Sequence, residues 1–389
     1  MNILVLIHNQ VNTGPYLKVI EMCQALTFLE NDVTLFATSS TRRIVIKKIK
    51  YGNLKIYEFP DMLWGKLRQG IDLWNIVVRI YYSLKLEFDI VHAIDCRPVV
   101  ILPAILVKKI KKIPLIISWW DLFGSGGTSN SRSGKYYAYS FGKVETFFEE
   151  HFRKYADYST CVSSYLFNKL IILGIAPTKI NLMRVGCRVD LKYLSINKSV
   201  FRDRLSLPQE IKIFCFLGSL FKSDKELFVN SLEVLNNNLS QQIFIIVIGT
   251  NSITTKQYPN IIIKSLGILG NIEEMKNYLH ASDFGLMPMK INIANKARWP
   301  SKATDYWAAG LPVISTSISD FDILFKSYML GILSKNDKPE DFALVMQEAI
   351  EMNESKYKEI QKSIIDYVRN NLDWRVLSNG LNSIYMGLK

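Results

Sequence analysis

The chain reads as two successive series in which short β-branched runs alternate with segments of helical period, and few folds satisfy that alternation. In the first series "NILVLIH" (2–8), "DVTLFAT" (32–38), "LKIYEF" (54–59), "DIVHAI" (89–94), "PLIIS" (114–118) and "YSTCV" (158–162) read as strands. Helical stretches run between them, as in 15–30, where Val19, Met22, Leu26 and Leu29 share one face. After a polar, poorly periodic stretch at 190–210 comes a second series: "IKIFCFLG" (211–218), "IFIIVIG" (243–249), "FGLMP" (284–288) and "LPVIST" (311–316). The expected class is α/β, two Rossmann-like doubly wound domains facing a cleft, with residues 1–195 in the first and 196–370 in the second. Residues 371–389 should form a helix that packs across toward the first domain, because Trp374, Leu377, Leu381, Ile384, Tyr385 and Leu388 make one apolar stripe. In such sheets ligands sit beyond the carboxyl ends of the strands.

Composition narrows the partners. At 389 residues with 49% hydrophobic and 21% charged positions, the chain is long enough for two packed cores. A net charge of +13 favours phosphate, anionic lipid or nucleic acid without choosing among them. Nucleic acid is the weaker reading, since the cations form no recognisable nucleic-acid module. Cys23, Cys96, Cys161, Cys187 and Cys215 have neither disulfide-framework nor zinc spacing, which fits a reducing cytoplasm. The start "MNILVLIHNQ" has no cationic leader, and the apolar run 99–107 is about half a membrane span, so the chain is expected to be neither secreted nor transmembrane.

The densest chemistry lies in "NKARWPSKATDYWAAGLPVIST" (295–316). Pro300 suits the first turn of a helix, so amides near Ser301 and Lys302 should meet phosphate, with Arg298 and Lys302 adding charge. Trp299 and Trp307 read as packing residues. The pair Asp320 and Asp322 stands at the far end of the second domain, and no metal is expected there.

Four segments in order, "YADYSTCVSSYLFNKLIILGIAPTKINLMRVG" (155–186), "FLGSLFKSDKE" (216–226), the stretch just quoted and "DWRVLSNGLNSIYMGL" (373–388), resemble the retaining nucleotide-sugar glycosyltransferases of the GT-B fold, family 4. The resemblance covers nearly the whole chain. It implies a donor held mainly by the second domain and an acceptor by the first. Lys225, seven positions after Gly218, would then meet the donor diphosphate, and Asp305, five before Gly310, the ribose hydroxyls. Asn295, Arg298, Ser301 and Lys302 join them on the donor side. The chain departs from the family pattern at Ser219, where a cation is usual, and at Ala297, where a glutamate is usual.

On the first domain Gly14 keeps one member of the usual glycine pair in the first strand-to-helix turn, a place where backbone amides approach the diphosphate. Trp120 takes the place of a frequent histidine and Asp121 remains, able to contact the acceptor hydroxyl or the transferred sugar. His92 is placed on the acceptor side, with a buried structural role as the competing reading. Asp121, Lys225 and Asp305 are the catalytic candidates; the nucleotide-diphosphate sugar is substrate, and no cofactor is implied.

The resemblance implies transfer with retention, in cell-surface polysaccharide or glycolipid assembly. A non-catalytic nucleotide- or partner-binding protein and a sugar-nucleotide epimerase stay open. Arg42, Arg43, Lys47, Lys48 and Lys50, with Lys108, Lys109, Lys111 and Lys112, suggest peripheral contact with anionic membrane and a lipid-linked acceptor; solvated surface charge explains the same residues. "GSGGTSNSRSG" (124–134) reads as a mobile loop, followed by an aromatic and basic helix at 134–157.

Overall fold

A computed structural model describes residues 1–41, 44–63, 70–128, 135–190, 194–249, 253–254 and 256–389. The chain divides into two compact units: Met1–Gly186 with Ala297–Trp299 and Trp374–Lys389, and Cys187–Lys296 with Pro300–Asp373. The first division falls at Gly186, nearer the amino terminus than the expected residue 195.

The first unit holds an eight-stranded sheet in the order β3-β4-β2-β1-β5-β6-β7-β8. Its strands are β1 (Asn2–Gln10), β2 (Asp32–Thr38), β3 (Lys47–Tyr51), β4 (Leu54–Phe59), β5 (Ile90–Ile94), β6 (Leu115–Trp119), β7 (Tyr158–Cys161) and β8 (Ile180–Leu182). All described pairs are parallel except β3 on β4. Parallel neighbours need helical crossovers, supplied by α1 (Gly14–Thr27), α2 (Leu73–Lys85), α3 (Pro98–Lys111), α4 (Lys135–His151) and α5 (Ser164–Ile172). The centre is dry: Ile3 to Ile7 are all fully buried, each such side chain contributing about 1.5–3 kcal/mol of transfer free energy.

Strand β3, "KKIKY", was not among the expected strands. Its three lysines occupy a sheet edge, where charge discourages pairing with another chain. The basic segment at 47–50 is thus largely this edge strand, while Arg42 and Arg43 lie outside the described residues.

The second unit is an all-parallel six-stranded sheet in the order β11-β10-β9-β12-β13-β14. Its strands are β9 (Ile213–Leu217), β10 (Ile243–Ile248), β11 (Ile261–Gly267), β12 (Phe284–Met287), β13 (Val313–Thr316) and β14 (Gly331–Ser334). The helices are α6 (Lys198–Arg204), α7 (Lys222–Asn238), α8 (Ile272–Ala281), α9 (Ile293–Ala297), α10 (Ser301–Ala308), α11 (Phe321–Ser327), α12 (Pro339–Glu351) and α13 (Glu354–Asn371). Trp307 packs against Phe321, Phe325 and Tyr367 with its indole N–H on the Leu330 carbonyl, a core role.

The last helix, α14 (Trp374–Leu388), packs beside α1 and belongs to the first unit. Its stripe carries Leu381 and Tyr385 fully buried. The Tyr385 hydroxyl meets His92 Nδ1 at 2.6 Å, and His92 Nε2 meets Ser118 Oγ at 2.6 Å. Burial holds the His92 imidazole neutral, its pKa lowered to about 3. Both ring nitrogens are committed to the chain inside the core, which corrects the acceptor-side placement of His92. Tyr385→Phe should cost about 1 kcal/mol, because it removes one buried hydrogen bond and orphans His92 Nδ1. A denaturant midpoint equal to wild type would show the bond to be worthless.

Candidate functional site

Doubly wound sheets place ligands where the strand order reverses, outside the carboxyl ends of two neighbouring strands. In the second unit that point lies between β9 and β12. Three strands there end in glycine: Gly218 after β9, Gly249 after β10 and Gly267 closing β11. The Gly218 amide donates to Ile248 O at 2.6 Å and the Gly249 amide to Gly267 O at 2.7 Å. Gly249, at φ 136°, could not carry a Cβ, which would stand 2.5 Å from the Gly218 carbonyl oxygen. Sequence reasoning singled out Gly218 alone; the repeated terminal glycine of "IFCFLG", "IFIIVIG" and "IIIKSLG" was the available signal.

Lys302 stands over this edge. Its ammonium donates to the Ser219 carbonyl at 3.1 Å and lies 4.7 Å from the centre of the Phe216 ring. Tyr306, one turn further along α10, sets that position. Its hydroxyl accepts from the Leu217 amide at 2.8 Å and donates to the Leu286 carbonyl at 3.2 Å, pinning α10 across β9 and β12. Residues four apart on a helix share a face, so the anchored ring carries Lys302 above Gly218. Tyr306 was not among the expected site residues, and its apolar neighbourhood in sequence gave no hint of the role.

Pro300 is the residue before the helix rather than its first turn, leaving Ser301 and Lys302 as the two leading amides of α10. The helix otherwise forms where expected, with the half-buried Asp305 one turn from Lys302. Arg298 falls in the other unit by its backbone. With Ala297 and Trp299 it belongs to the first unit, where Arg184 lies 5.3 Å over the Trp299 ring and Ser163 donates to the Ala297 carbonyl. Asn295 is fully buried, its side-chain amide donating to Lys290 O at 2.7 Å, so it shapes the loop rather than facing a ligand.

Lys225 is exposed in the first turn of α7. Its neighbour Asp224 is buried and accepts from the Lys290 amide at 2.7 Å, tying α7 to the loop after β12. Gly218 and Lys302 are coupled by contact: a Cβ at Gly218 (φ 83°) would meet Lys302 Cε at 2.7 Å. Gly218→Ala should cost about 1–2 kcal/mol of stability for the left-handed backbone and displace the ammonium. Titration with UDP should show the displacement as weakened binding, and unchanged affinity would uncouple the two residues.

In the first unit the order reverses between β1 and β5, and a buried charged cluster gathers at the carboxyl ends of β1, β5 and β6. Asp95, in a left-handed backbone at φ 63°, accepts from the Trp120 amide at 2.8 Å and the Asp121 amide at 3.4 Å. Burial first, and the nearby Asp121 carboxylate second, push its carboxyl up to about 7; the Trp120 amide and Arg153 oppose them. Trp120 is buried and Asp121 half-buried. Arg97 pairs with Glu145 at 2.7 Å and lies 4.3 Å over the Phe123 ring. Glu149 accepts from Trp119 Nε1 at 3.0 Å and from the amides of Phe123 and Gly124, and burial raises its pKa despite Arg153. Arg153, fully buried, lies 3.7 Å over the Trp119 ring.

These bonds hold the loop after β6 to α4, so 121–128 is pinned rather than mobile; 129–134 lie outside the described residues. Asp95, Arg97, Glu145, Glu149 and Arg153 escaped sequence reasoning, which read the 134–157 helix for its aromatics and cations and passed over acids spaced i, i+4. Gly14 opens α1, exposed, with open space where a Cβ would stand.

Among the described residues no three His, Cys, Asp or Glu side chains group as a metal site, and no helix is long and apolar enough to cross a membrane. Residues 211–352, most of the second unit, match the family model described as glycosyl transferases group 1. A Bacillus subtilis protein named as a teichuronic acid biosynthesis glycosyltransferase, TuaH, is 29% identical over 106 residues. That match spans 27% of this chain and 25% of the relative. Sucrose-phosphate synthase from Thermosynechococcus elongatus superposes with a TM-score of 0.74 at 14% identity, covering 100% of this chain and 99% of that one. An Anabaena protein, HepE, solved in complex with UDP and glucose, gives 0.67 at 13% identity, with 100% of both chains covered. The fold is GT-B, and the resemblance to group 1 glycosyltransferases read from the sequence is shown over residues 211–352.

Proposed function

We propose that this GT-B chain is a group 1 glycosyltransferase that moves a sugar from a nucleotide-diphosphate donor to an acceptor hydroxyl with retention of anomeric configuration. The observation that carries the reading is the Lys302 ammonium held over Gly218 and Ser219 at the strand-order reversal of the matched domain. As the glycosidic bond breaks, negative charge grows on the diphosphate. A fixed ammonium and the leading amides of α10 oppose that charge without rearranging, the largest class of catalytic stabilisation. Asp305 accepts hydrogen bonds from the ribose hydroxyls, and Lys225, free to swing on its exposed turn, adds a second cation. With no side chain at Gly218, the phosphates can approach the backbone there.

On the acceptor side Asp121 takes the hydroxyl proton, or the departing phosphate does, and Asp95 holds the Asp121 loop by its amides. The same proposal makes the enzyme metal-independent, since cations of the chain meet the leaving group, and gives it no cofactor. A part in cell-surface polysaccharide or glycolipid assembly is supported by the relative named for teichuronic acid biosynthesis. A cytoplasmic location is supported by five buried free thiols, and peripheral contact with anionic membrane by the lysines of the last turn of α3.

The test is a donor screen. The purified protein is incubated with UDP-, GDP- and ADP-sugars and a bacterial lipid extract, following nucleotide release and label entering lipid. Release with labelled lipid from one donor is the expected result. Calorimetric nucleotide binding with no turnover on any donor would leave a non-catalytic binding protein, and conversion of donor alone would make it an epimerase.

A further inference from the structure

Helix α2 buries polar side chains beside Ile76 and leaves an apolar arc outside. A helix on the surface of an α/β unit normally turns its apolar stripe to the sheet and its polar face to water. Here the residues turned inward include Asn75, Arg79 and Ser83, all buried. Each bonds to the chain, although Asn75 Oδ1 and Arg79 Nε are buried without a partner. Asn75 donates to the Pro60 carbonyl at 2.7 Å, Arg79 to the carbonyls of Ile7 and Val99 and the hydroxyl of Thr38, and Ser83 to the Arg79 carbonyl.

The outward arc holds Leu73 at 78% exposure, Trp74 at 42%, Val77 at 57% and Tyr81 at 56%. At 100° per residue these four fall within about a third of the helix circumference, and the one charge on that arc is Lys85, at its carboxyl end. A contiguous apolar face of this kind marks a surface that something covers.

What surrounds the arc chooses the occupant. Lys85 closes it, with its ammonium over the Tyr81 ring. The end of α3 lies alongside, since Lys111 donates to the Leu86 carbonyl. It adds the exposed Ile110 flanked by Lys109 and Lys112. The nearby acids are engaged, Glu87 by Lys111 and Asp89 by Lys389. An apolar face with one Trp and one Tyr, bordered by cations in a chain of net charge +13, has the make-up of an interfacial helix.

The geometry points to the outer face of α2 as the surface by which this protein lies on an anionic bilayer, with Leu73, Trp74, Val77 and Tyr81 entering the headgroup boundary and Lys85, Lys109 and Lys112 meeting lipid phosphates. This deepens the membrane part of the proposed function and rests on it, but not on the transferase chemistry.

The test is co-sedimentation of the full chain with phosphatidylcholine vesicles, with and without phosphatidylglycerol. It compares wild type, the double variant Val77→Glu/Tyr81→Glu, and Ile268→Glu as a control at an exposed isoleucine of the second unit. All three sites are solvent-facing, so melting temperatures should match. We expect wild type and the control to partition onto anionic vesicles and the double variant at least tenfold less. If wild type binds and the double variant binds equally, the membrane reading survives and this face is wrong. If wild type does not bind at all, the membrane reading itself fails. A wild-type dimer in light scattering that the double variant splits would assign the face to self-association and overturn the proposal.

Discussion

Lys302→Ala should lower kcat for sugar transfer by two to three orders of magnitude while the protein stays folded. Loss of a preorganised group at a developing negative charge costs about 2.7–4 kcal/mol of transition-state stabilisation. The side chain is partly exposed and its hydrogen bond to the Ser219 carbonyl lies at the surface, so stability has little at stake. Lys225→Ala should cost less, about tenfold to a hundredfold, because an exposed lysine side chain must be ordered before it helps. The ranking is the informative part. Steady-state kinetics in which Lys225→Ala is the more damaging change would mean that donor binding rebuilds the site around α7. Near-normal turnover in both variants would remove the diphosphate reading.

That ranking shows where the sequence was legible and where it was not. The places of Gly218, Lys302 and Asp305 in the fold could be read because their signals are local: a glycine closing a strand, a cation beside a helix start, an acid at fixed spacing from the glycine that ends the helix. Arg298 and Asn295 belong to the same local stretch, yet one packs in the first unit and the other turns inward. Neighbours in one short stretch can belong to different units, and local spacing does not register that. Tyr306 and Asp224 act across β9 and the loop after β12, through contacts far apart in the chain. Strands β1, β2 and β4 were legible because their apolar runs are buried; β3 was not, because an edge strand wears the charge of a surface. Helix α2 defeats pattern reading for another reason. Polar Asn75, Arg79 and Ser83 share its inward face with Ile76 while Leu73, Val77 and Tyr81 stay outside, so apolar periodicity alone does not pick the core face.

The buried cluster of the first unit yields the second large effect. Asp95 titrates near 7 in the folded chain against an ordinary 3.8, so folding takes up a proton there across that interval. Its contribution to stability is therefore full below about 3.8 and is lost as pH rises through about 7. Asp95→Asn keeps an oxygen for the Trp120 amide and removes the titration. The variant should gain on wild type in melting temperature as pH rises from 4 to 7, and the difference cancels contributions from the buried histidines. A constant difference would mean that Asp95 is ionised throughout.

Activity follows the same coupling. The Asp121 carboxylate stands near enough to raise the Asp95 pKa, so a proton on Asp95 removes a negative charge beside Asp121 and weakens it as a base. The wild-type kcat/KM profile should rise through an inflection near 7 that Asp95→Asn abolishes. Asp121→Asn, removing the base itself, should cost 10²–10⁴-fold at pH 8. If it costs nothing there while the wild-type inflection persists, the acceptor proton leaves with the donor phosphate, and Asp95 serves the loop alone.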